Sequence, residues 1–275
     1  MAKIGSYNTK MFDDNTITAE VKRLEQMSEY DKEDIKKFCK EFNFEGIKSL
    51  LDIGCGPGFV AAMFSKLNPN GLVIGIDREE RFIKIANELA KNQEISNLEF
   101  KVSDCYKLPF DDDTFECSFS RYVLEHVSEP IAVINEMKRV TKPEGKIGIF
   151  EWDAGLNVYY PEPRFLRKYF DSEMEIKRST GGDICFGRKA YTALRSCGIK
   201  DITVQPVNER VADHNREFFI SNHKWFGTRV HPFVQMGLMS QGELDTYYSD
   251  LEEIVRSDDS YISYQKLIIV GKVDK

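Results

Sequence analysis

Apolar residues along the first part of this chain fall into short runs, separated by stretches of helical periodicity. Runs with the length and composition of buried strands lie at residues 50–53, 71–76, 98–102, 115–120 and 146–150. Between them, apolar residues recur every three or four positions, as in the interval from Phe82 to Leu89 and in residues 129–140. The pattern predicts strands that alternate with amphipathic helices.

The second half of the chain continues this pattern but carries two long insertions. Residues 187–198 predict a further helix, and residues 202–207 and 264–272 predict the sixth and seventh strands. Residues 154–186 and 208–261 are longer than a connection requires, and such insertions in compact domains tend to be functional.

The second insertion is rich in aromatic residues and methionine, and it contains a helix start signal. Ser240 and Glu243 form a capping-box pattern ahead of an apolar helical stripe. We expect the insertion to form a lid at the carboxyl edge of the sheet. Most of its aromatic side chains are expected to pack the lid onto the core, and a minority to touch a ligand.

The glycines after the first strand are the strongest local signal. Gly54, Gly56 and Gly58 alternate with other residues directly before a helix-like stretch that begins at Phe59. Without Cβ atoms, this turn lets the main chain approach a ligand closely. The free N–H groups of the following helix favour a negatively charged group.

Asp77 ends the second apolar run, about 20 residues after Gly58. At this interval a nucleotide-binding βαβ unit places the acid that accepts hydrogen bonds from ribose hydroxyls. The alternative is that Asp77 is the N-cap of the following helix. The two roles are compatible.

Three later motifs complete the series. They are residues 103–105 followed by 108–110, residues 121–126 after the fourth run, and residues 141–145, which predict a helix stop and a turn. In this order the motifs resemble the class I S-adenosylmethionine-dependent methyltransferases. The resemblance is closest to the small-molecule, methyltransferase type 11-like branch related to the ubiquinone/menaquinone-biosynthesis enzymes, and it covers about residues 47–153.

The resemblance implies an α/β fold: a doubly wound, seven-stranded, mostly parallel Rossmann-like sheet with an antiparallel last strand and helical lid insertions. It divides the chain into a helical N-terminal cap (1–46), an S-adenosylmethionine-binding core (47–153), a substrate-side insertion (154–186), a core helix and strand (187–207), a helical lid insertion (208–261) and a final core strand (262–275).

The resemblance also implies S-adenosyl-L-methionine as the cofactor. Asp52 and the turn Gly54, Cys55, Gly56 and Gly58 match the loop that holds its methionine part.

The remaining cofactor positions follow in chain order. Asp77, with Arg78 beside it, matches the ribose-binding acid, and Asp104 matches the acid that accepts from the adenine amino group. The Cys105 amide matches the donor to the adenine ring. Arg121 lies near the methionine part, where smaller or neutral residues are more frequent in the family.

The N-terminal cap supplies one more candidate. In related enzymes such a segment folds over the cofactor, where Arg23 would pair with the cofactor carboxylate through two hydrogen bonds. The alternative is a solvent-facing arginine on an amphipathic helix.

A nicotinamide dehydrogenase is the natural rival, since it also has glycines after a strand and a distal acid. Its last glycine falls one residue later than Gly58, at the position of Phe59. It also has no need for Asp104 and Cys105 followed by a Leu-Pro-Phe sequence. The motifs therefore favour a methyltransferase.

Composition and charge limit the classes of partner that we expect this chain to bind. A net charge of −7 gives no basic footprint for nucleic acid or an anionic membrane. The six scattered cysteines argue against a disulfide framework and against zinc, so we expect no metal. We expect a cytoplasmic protein without a membrane segment, as a monomer or homodimer.

Few residues suggest chemistry beyond positioning. His126 has the pKa range of a base but is equally suited to a structural hydrogen bond. Glu151 and Asp153 end the fifth strand, where one of them would be desolvated enough to take a proton, or both would cap and anchor loops. No single catalytic residue is assigned.

The leading interpretation is a methyltransferase (EC 2.1.1.-) acting on a small molecule through an O, N or C acceptor. The alternatives are a non-catalytic S-adenosylmethionine-binding protein and a protein or RNA methyltransferase.

Overall fold

An eight-stranded mixed sheet with helices on both faces forms the centre of the computed structural model, which describes residues 12–41, 43–212, 215–228 and 231–275. The helices are α1 (Asp14–Tyr30), α2 (Lys32–Glu41), α3 (Phe59–Leu67), α4 (Glu80–Asn92), α5 (Pro130–Val140), α6 (Leu166–Ser179), α7 (Gly187–Ser196), α8 (Arg216–Thr228), α9 (His231–Gln235) and α10 (Gln241–Arg256). The strands are β1 (Ser49–Ile53), β2 (Leu72–Asp77), β3 (Leu98–Val102), β4 (Phe115–Arg121), β5 (Thr141–Trp152), β6 (Val158–Tyr160), β7 (Ile199–Arg210) and β8 (Tyr261–Val273).

The strand order is β3-β2-β1-β4-β5-β8, and β1 to β5 run parallel to one another. Strand β8 runs antiparallel to β5, with Lys146 opposite Lys272 and Trp152 opposite Lys266. The predicted antiparallel last strand is therefore confirmed. Because β7 pairs with the same part of β8 as β5 does, β7 lies on the opposite edge of β8.

The prediction of seven strands is wrong by one strand. Strand β6 pairs with β8 over three residues, from Val158 opposite Ser263 to Tyr160 opposite Tyr261. It lies on the β5 side of β8, after a single 3-10 turn at Ala154–Leu156. A three-residue segment with exposed ends carries too little periodicity to be recognised in the sequence.

The turn predicted at residues 141–145 is absorbed into β5, which begins at Thr141 directly after α5. The helix stop is present, but the bend is an irregularity in the pairing with β4 between Phe115 and Cys117. Glu144 takes a left-handed φ of 65° there. A bulge of this kind bends the strand without ending it.

Burial on both faces explains the near-continuous apolar runs of the central strands. Leu50 and Val73 pack under α2, α3 and α4, whereas the adjacent Leu51 and Ile74 pack against α5 and α7. A third cluster lies in the insertions, where Tyr247 of α10 is fully buried.

Helix α10 begins at the capping box that the sequence predicts. Ser240 accepts a hydrogen bond from the Glu243 amide, and the Glu243 side chain accepts one from the Ser240 amide, which confirms the capping box of α10.

No helix in the described ranges has both the length and the apolar content needed to cross a bilayer.

Candidate functional site

The glycine turn after β1 is built from left-handed backbone. Gly54, Gly56 and Gly58 have φ values of 72°, 53° and 84°. A Cβ on Gly54 would lie 2.3 Å from Val123 Cγ2, and a Cβ on Gly58 would lie 2.5 Å from Phe100 Cζ. Both positions therefore exclude side chains, and bare main chain leads into α3.

Strand β2 holds this turn in place. The Gly54 and Cys55 amides both donate to the Ile76 carbonyl, at 2.8 and 2.9 Å. The Gly56 amide donates to Asp77 Oδ2 at 2.9 Å. The turn and the acid that ends β2 thus form one rigid unit.

Asp77 lies on the cavity wall at the end of β2. Its Oδ1 accepts a hydrogen bond from the Glu79 amide at 2.9 Å, and Glu79, not Asp77, is the N-cap of α4. The N-cap interpretation of Asp77 is therefore wrong. Burial raises the pKa of Asp77, and the Glu79 and Gly56 amides oppose that rise. Arg78 is exposed and lines the same cavity.

The loop after β3 brings Asp104 and Cys105 to the cavity. Asp104 is exposed, and its Oδ1 accepts a hydrogen bond from the Tyr106 amide at 3.0 Å. Burial raises the pKa of the Cys105 thiol to about 12 and that of Cys55 well above its usual value. Both thiols therefore stay protonated near neutral pH, which leaves them no nucleophilic role.

Asp52 lies in β1 just before the turn and does not line the cavity. It is 2% exposed, and its Oδ2 has no hydrogen-bond partner among the described residues. Burial raises its pKa to about 7, an effect that Arg121 opposes and Asp77 increases.

Arg121, at the end of β4, belongs to a buried ion cluster that the sequence analysis missed. Its Nε donates to Asp31 Oδ2 at 3.0 Å, and Lys266 Nζ donates to Asp31 Oδ1 at 2.6 Å and to Glu209 Oε2 at 2.5 Å. Burial alone would raise the pKa of Asp31, but Arg121 and Lys266 hold it below the usual value. Because Asp31 and Lys266 are 235 positions apart, no local pattern signals their contact.

Arg23 of α1 lines the cavity, so the solvent-facing alternative is wrong. Its Nε and Nη2 donate to the two carboxylate oxygens of Glu20, at 2.8 and 2.9 Å. Its Nη1 donates to Asn222 Oδ1 of α8 at 3.1 Å. The cap and the lid therefore meet over the cavity through this arginine. Its pairing with the cofactor carboxylate stays a prediction.

His126 lines the cavity with both ring nitrogens engaged. Lys177 Nζ lies 2.7 Å from Nδ1, and since an ammonium only donates, Nδ1 accepts. The other nitrogen, Nε2, then carries the proton and lies 3.1 Å from Glu125 Oε1. These contacts give His126 the structural hydrogen bonds of its alternative role.

Glu151 and Asp153 are fully buried and do not line the cavity. Glu151 Oε1 accepts hydrogen bonds from the Val123 and Leu124 amides, at 3.1 and 2.8 Å. Asp153 accepts from the Arg188 guanidinium at 2.6 and 2.7 Å and from the Gly155 amide. Both side chains make the anchoring contacts that the sequence analysis gave as the alternative to catalysis.

One cavity of about 490 Å³ connects these regions. At one end lie the glycine turn, Asp77 and Asp104, and at the other lie Trp152, Phe218 and Tyr264. Helix α8 covers the second end. Its Phe218 ring stacks on the Tyr30 ring of α1, with the ring centroids 4.5 Å apart. Among the described residues, no group of three or more His, Cys, Asp or Glu side chains is arranged to hold a metal ion.

Two side chains of α6, Glu173 and Lys177, also line the cavity and were missed from the sequence. Their spacing of four residues places them on one helix face. That spacing is also common on solvated helices, so it gave no reason to single them out. Of the three histidines in residues 208–261, His223 lines the cavity, His214 lies outside the described residues, and the side chain of His231 is not described.

Comparison with known proteins identifies the family. A family model described as "Methyltransferase domain" matches residues 45–181. A demethylmenaquinone methyltransferase of Lactobacillus johnsonii is 31% identical over 187 residues, which cover 63% of this chain and 76% of the relative. An uncharacterized methyltransferase of Schizosaccharomyces pombe is 35% identical over 133 residues, or 45% of this chain and 48% of the relative. The chain thus spans only about half the length of this fission yeast protein.

Solved structures agree with the sequence matches. An S-adenosylmethionine-dependent methyltransferase from Aquifex aeolicus superimposes with a TM-score of 0.54 and 26% identity, over 71% of this chain and 92% of that protein.

Proposed function

This chain belongs to the class I S-adenosylmethionine-dependent methyltransferases, and from that premise we propose that it transfers a methyl group from S-adenosylmethionine to a small-molecule acceptor held under the lid. The relative named demethylmenaquinone methyltransferase supports an acceptor of small-molecule size.

The observation that carries the proposal is the continuity of one cavity from the cofactor residues to the lid. A volume of about 490 Å³ lies in the range of roughly 300–1,000 Å³ that is typical of small-molecule sites. A cofactor at the glycine turn and an acceptor at Trp152 and Tyr264 would occupy the same cavity.

The residues at the glycine end suit S-adenosylmethionine. Gly56 meets no atom closer than 4.0 Å at the position of a Cβ, so the turn is open toward the cavity there. The carboxylates of Asp77 and Asp104, which line this end, favour a ligand that is positively charged and rich in donors. We assign the methionine part to the turn, the ribose to Asp77 and the adenine to Asp104 and the Cys105 amide.

When bound, the cofactor supplies an electrophilic methyl group on a positively charged sulfur that leaves readily. The protein's own part is to position the acceptor and exclude water, and positioning of this kind contributes much of the rate. Trp152, Phe218 and Tyr264 provide an apolar wall for this purpose. His126 is held between Lys177 and Glu125, which suits it to orient the loop after β4.

The test is product formation by the full chain. We expect the protein, supplied with S-adenosylmethionine and a library of small metabolites, to release S-adenosylhomocysteine together with one class of methylated product. Tight cofactor binding with no product from any small molecule, but methylation of added RNA or protein, would overturn the small-molecule acceptor.

A further inference from the structure

Charged side chains cluster at the lid end of the cavity. Glu125 and Glu173 both line it, and the buried Glu151 lies close enough for its pKa to be raised by Glu125. Lys177 is the main positive charge acting on Glu125 and Glu173. The Arg23 guanidinium is already paired with Glu20 at 2.8 Å. Arg121 and Lys266 also line the cavity but are paired with Asp31 and Glu209, so Lys177 is left to face both Glu125 and Glu173.

One of these carboxylates is incompletely satisfied. Glu125 is 7% exposed and lines the cavity. Its Oε1 faces His126 Nε2 at 3.1 Å, whereas its Oε2 is buried and accepts no hydrogen bond from any described residue. A buried carboxylate oxygen without a donor is costly, so a donor from a ligand would be favoured there.

Aromatic rings surround the same space. Trp152, Phe218, Phe219 and Tyr264 all line it, and the Phe219 and Tyr264 rings lie 24° apart in orientation, with centroids at 5.9 Å. Aromatic faces attract cations, most strongly where water is excluded. Carboxylates together with aromatic walls are complementary to an ammonium that carries an apolar body.

We propose that the methyl acceptor is a cationic amine with an apolar or aromatic body, held by Glu125 and Glu173 among these rings, and that the chain is an N-methyltransferase. This inference rests on the proposed function, since it names the acceptor class of that same site.

Methyl transfer to such an amine takes place in two steps. The bound ammonium first passes one proton to the Glu173 carboxylate, which exposes the nitrogen lone pair. The nitrogen forms a bond to the methyl carbon, the sulfur–methyl bond breaks, and its electron pair stays on sulfur. The products are a methylated ammonium and S-adenosylhomocysteine. Burial raises the pKa of Glu173 to about 7, so its carboxylate can take up a proton near neutral pH.

Other acceptor classes fit this end of the cavity less well. An anion would gain from Lys177 but would face the Glu125 and Glu173 side chains that line the same cavity. A neutral quinol would leave Glu125 Oε2 with a weaker donor than an ammonium, because hydrogen bonds between charged groups are stronger.

Two matched probe series test the inference on the full chain with saturating S-adenosylhomocysteine. The first is 2-phenylethylamine, 2-phenylethanol and 3-phenylpropionate, and the second is tryptamine, tryptophol and indole-3-propionate. In calorimetric titrations we expect the amine of at least one series to bind about tenfold tighter than its alcohol, and the carboxylate to bind weakest. With S-adenosylmethionine in its place, mass spectrometry should find the methyl group on nitrogen.

Variants locate the effect. Glu173→Gln should reduce the preference for amine over alcohol about tenfold, as should Glu125→Gln if it unfolds at the wild-type temperature. The control is Glu175→Gln, an exposed position on the same helix, which should keep the wild-type preference.

The outcomes separate the two proposals. Failure of S-adenosylhomocysteine to bind would overturn the proposed function itself. Cofactor binding with amines that bind no better than alcohols, or not at all, would overturn only the amine acceptor. Tighter binding of the carboxylates, lost in Lys177→Met, would also overturn it and would indicate an anionic acceptor.

Discussion

Gly58 is a position in the cofactor turn where both the backbone conformation and the packing exclude a side chain. Its φ of 84° and the Phe100 ring 2.5 Å from a Cβ position both oppose a side chain. We expect Gly58→Ala to lower the free energy of unfolding by about 2–4 kcal/mol, from backbone strain and overpacking. Urea denaturation followed by circular dichroism measures the change.

The matched control is Gly242, in the first turn of α10. A Cβ there meets no atom within 4 Å, and the helical backbone accepts alanine. Gly242→Ala should be neutral or stabilising by up to about 1 kcal/mol. Equal effects of the two substitutions would show that the turn is not constrained as described.

Asp52 makes stability depend on pH. Burial raises its pKa from 3.8 to about 7, so the folded chain binds more protons than the unfolded chain between these values. The contribution of Asp52 to stability therefore falls as the pH rises from about 4 to 7. Asp52→Asn should gain stability relative to wild type over this range, by about 2–4 kcal/mol at most.

Urea unfolding at a series of pH values gives the comparison. A difference between Asp52→Asn and wild type that stays constant from about pH 4 to pH 8 would mean that Asp52 ionises normally in the folded chain.

At the scale of elements, the lid can be removed without interrupting a strand, because it lies between β7 and β8 in the chain. Strands β7 and β8 pair antiparallel as far as Arg210 opposite Ser263, so a short turn can join them. Replacing residues 212–260 with such a turn removes Phe218 and Phe219 from the cavity wall. We expect acceptor turnover to fall by at least about tenfold, because alignment and water exclusion are lost, while cofactor affinity changes little.

Steady-state kinetics and S-adenosylhomocysteine titration of the shortened chain measure the two effects separately. Equal loss of turnover and of cofactor affinity would mean that the lid mainly supports the core.

The elements with strong local signals were predictable from the sequence. Strands β1 to β4, helix α5 and the capping box at Ser240 follow from periodicity and cap residues. Strand β6 was not predictable, because its three residues are ordered only by pairing with β8. The extension of β5 back to Thr141 was also missed, since its Pro-Glu-Gly sequence resembles a turn.

The residues of the candidate site likewise differ in whether the sequence predicts them. Asp77 and Asp104 were found because parallel strands place their carboxyl ends at one edge, where a family motif fixes the spacing. Glu125, Glu173 and Lys177 meet only through the folding of α6 against the loop after β4. Nothing in their local sequence distinguishes them from surface charges.

At the scale of the whole molecule, the buried ion cluster ties the cap to the core. Lys266 of β8 is 4% exposed and contacts Asp31 and Glu209. Lys266→Met would leave Glu209 and one oxygen of Asp31 without their cation, and breaking a buried pair in this way costs about 3–5 kcal/mol. Thermal and urea unfolding should both show the loss.

Lys272, on the same strand, provides the control. It pairs with Glu144 at a solvent-exposed position, where an ion pair contributes little to stability. If Lys266→Met and Lys272→Met unfold alike, the cluster does not hold the cap in place.

The proposed function requires S-adenosylmethionine to bind at the glycine turn and Asp77. Isothermal titration of the full chain with S-adenosylmethionine tests this most directly, alongside Asp77→Ala and the exposed neighbour control Glu80→Ala. We predict one saturable site in wild type and in Glu80→Ala, and an affinity lower by about tenfold or more in Asp77→Ala, because the charged acceptor for the ribose is gone. No binding by the wild-type chain, or undiminished binding by Asp77→Ala, would contradict it.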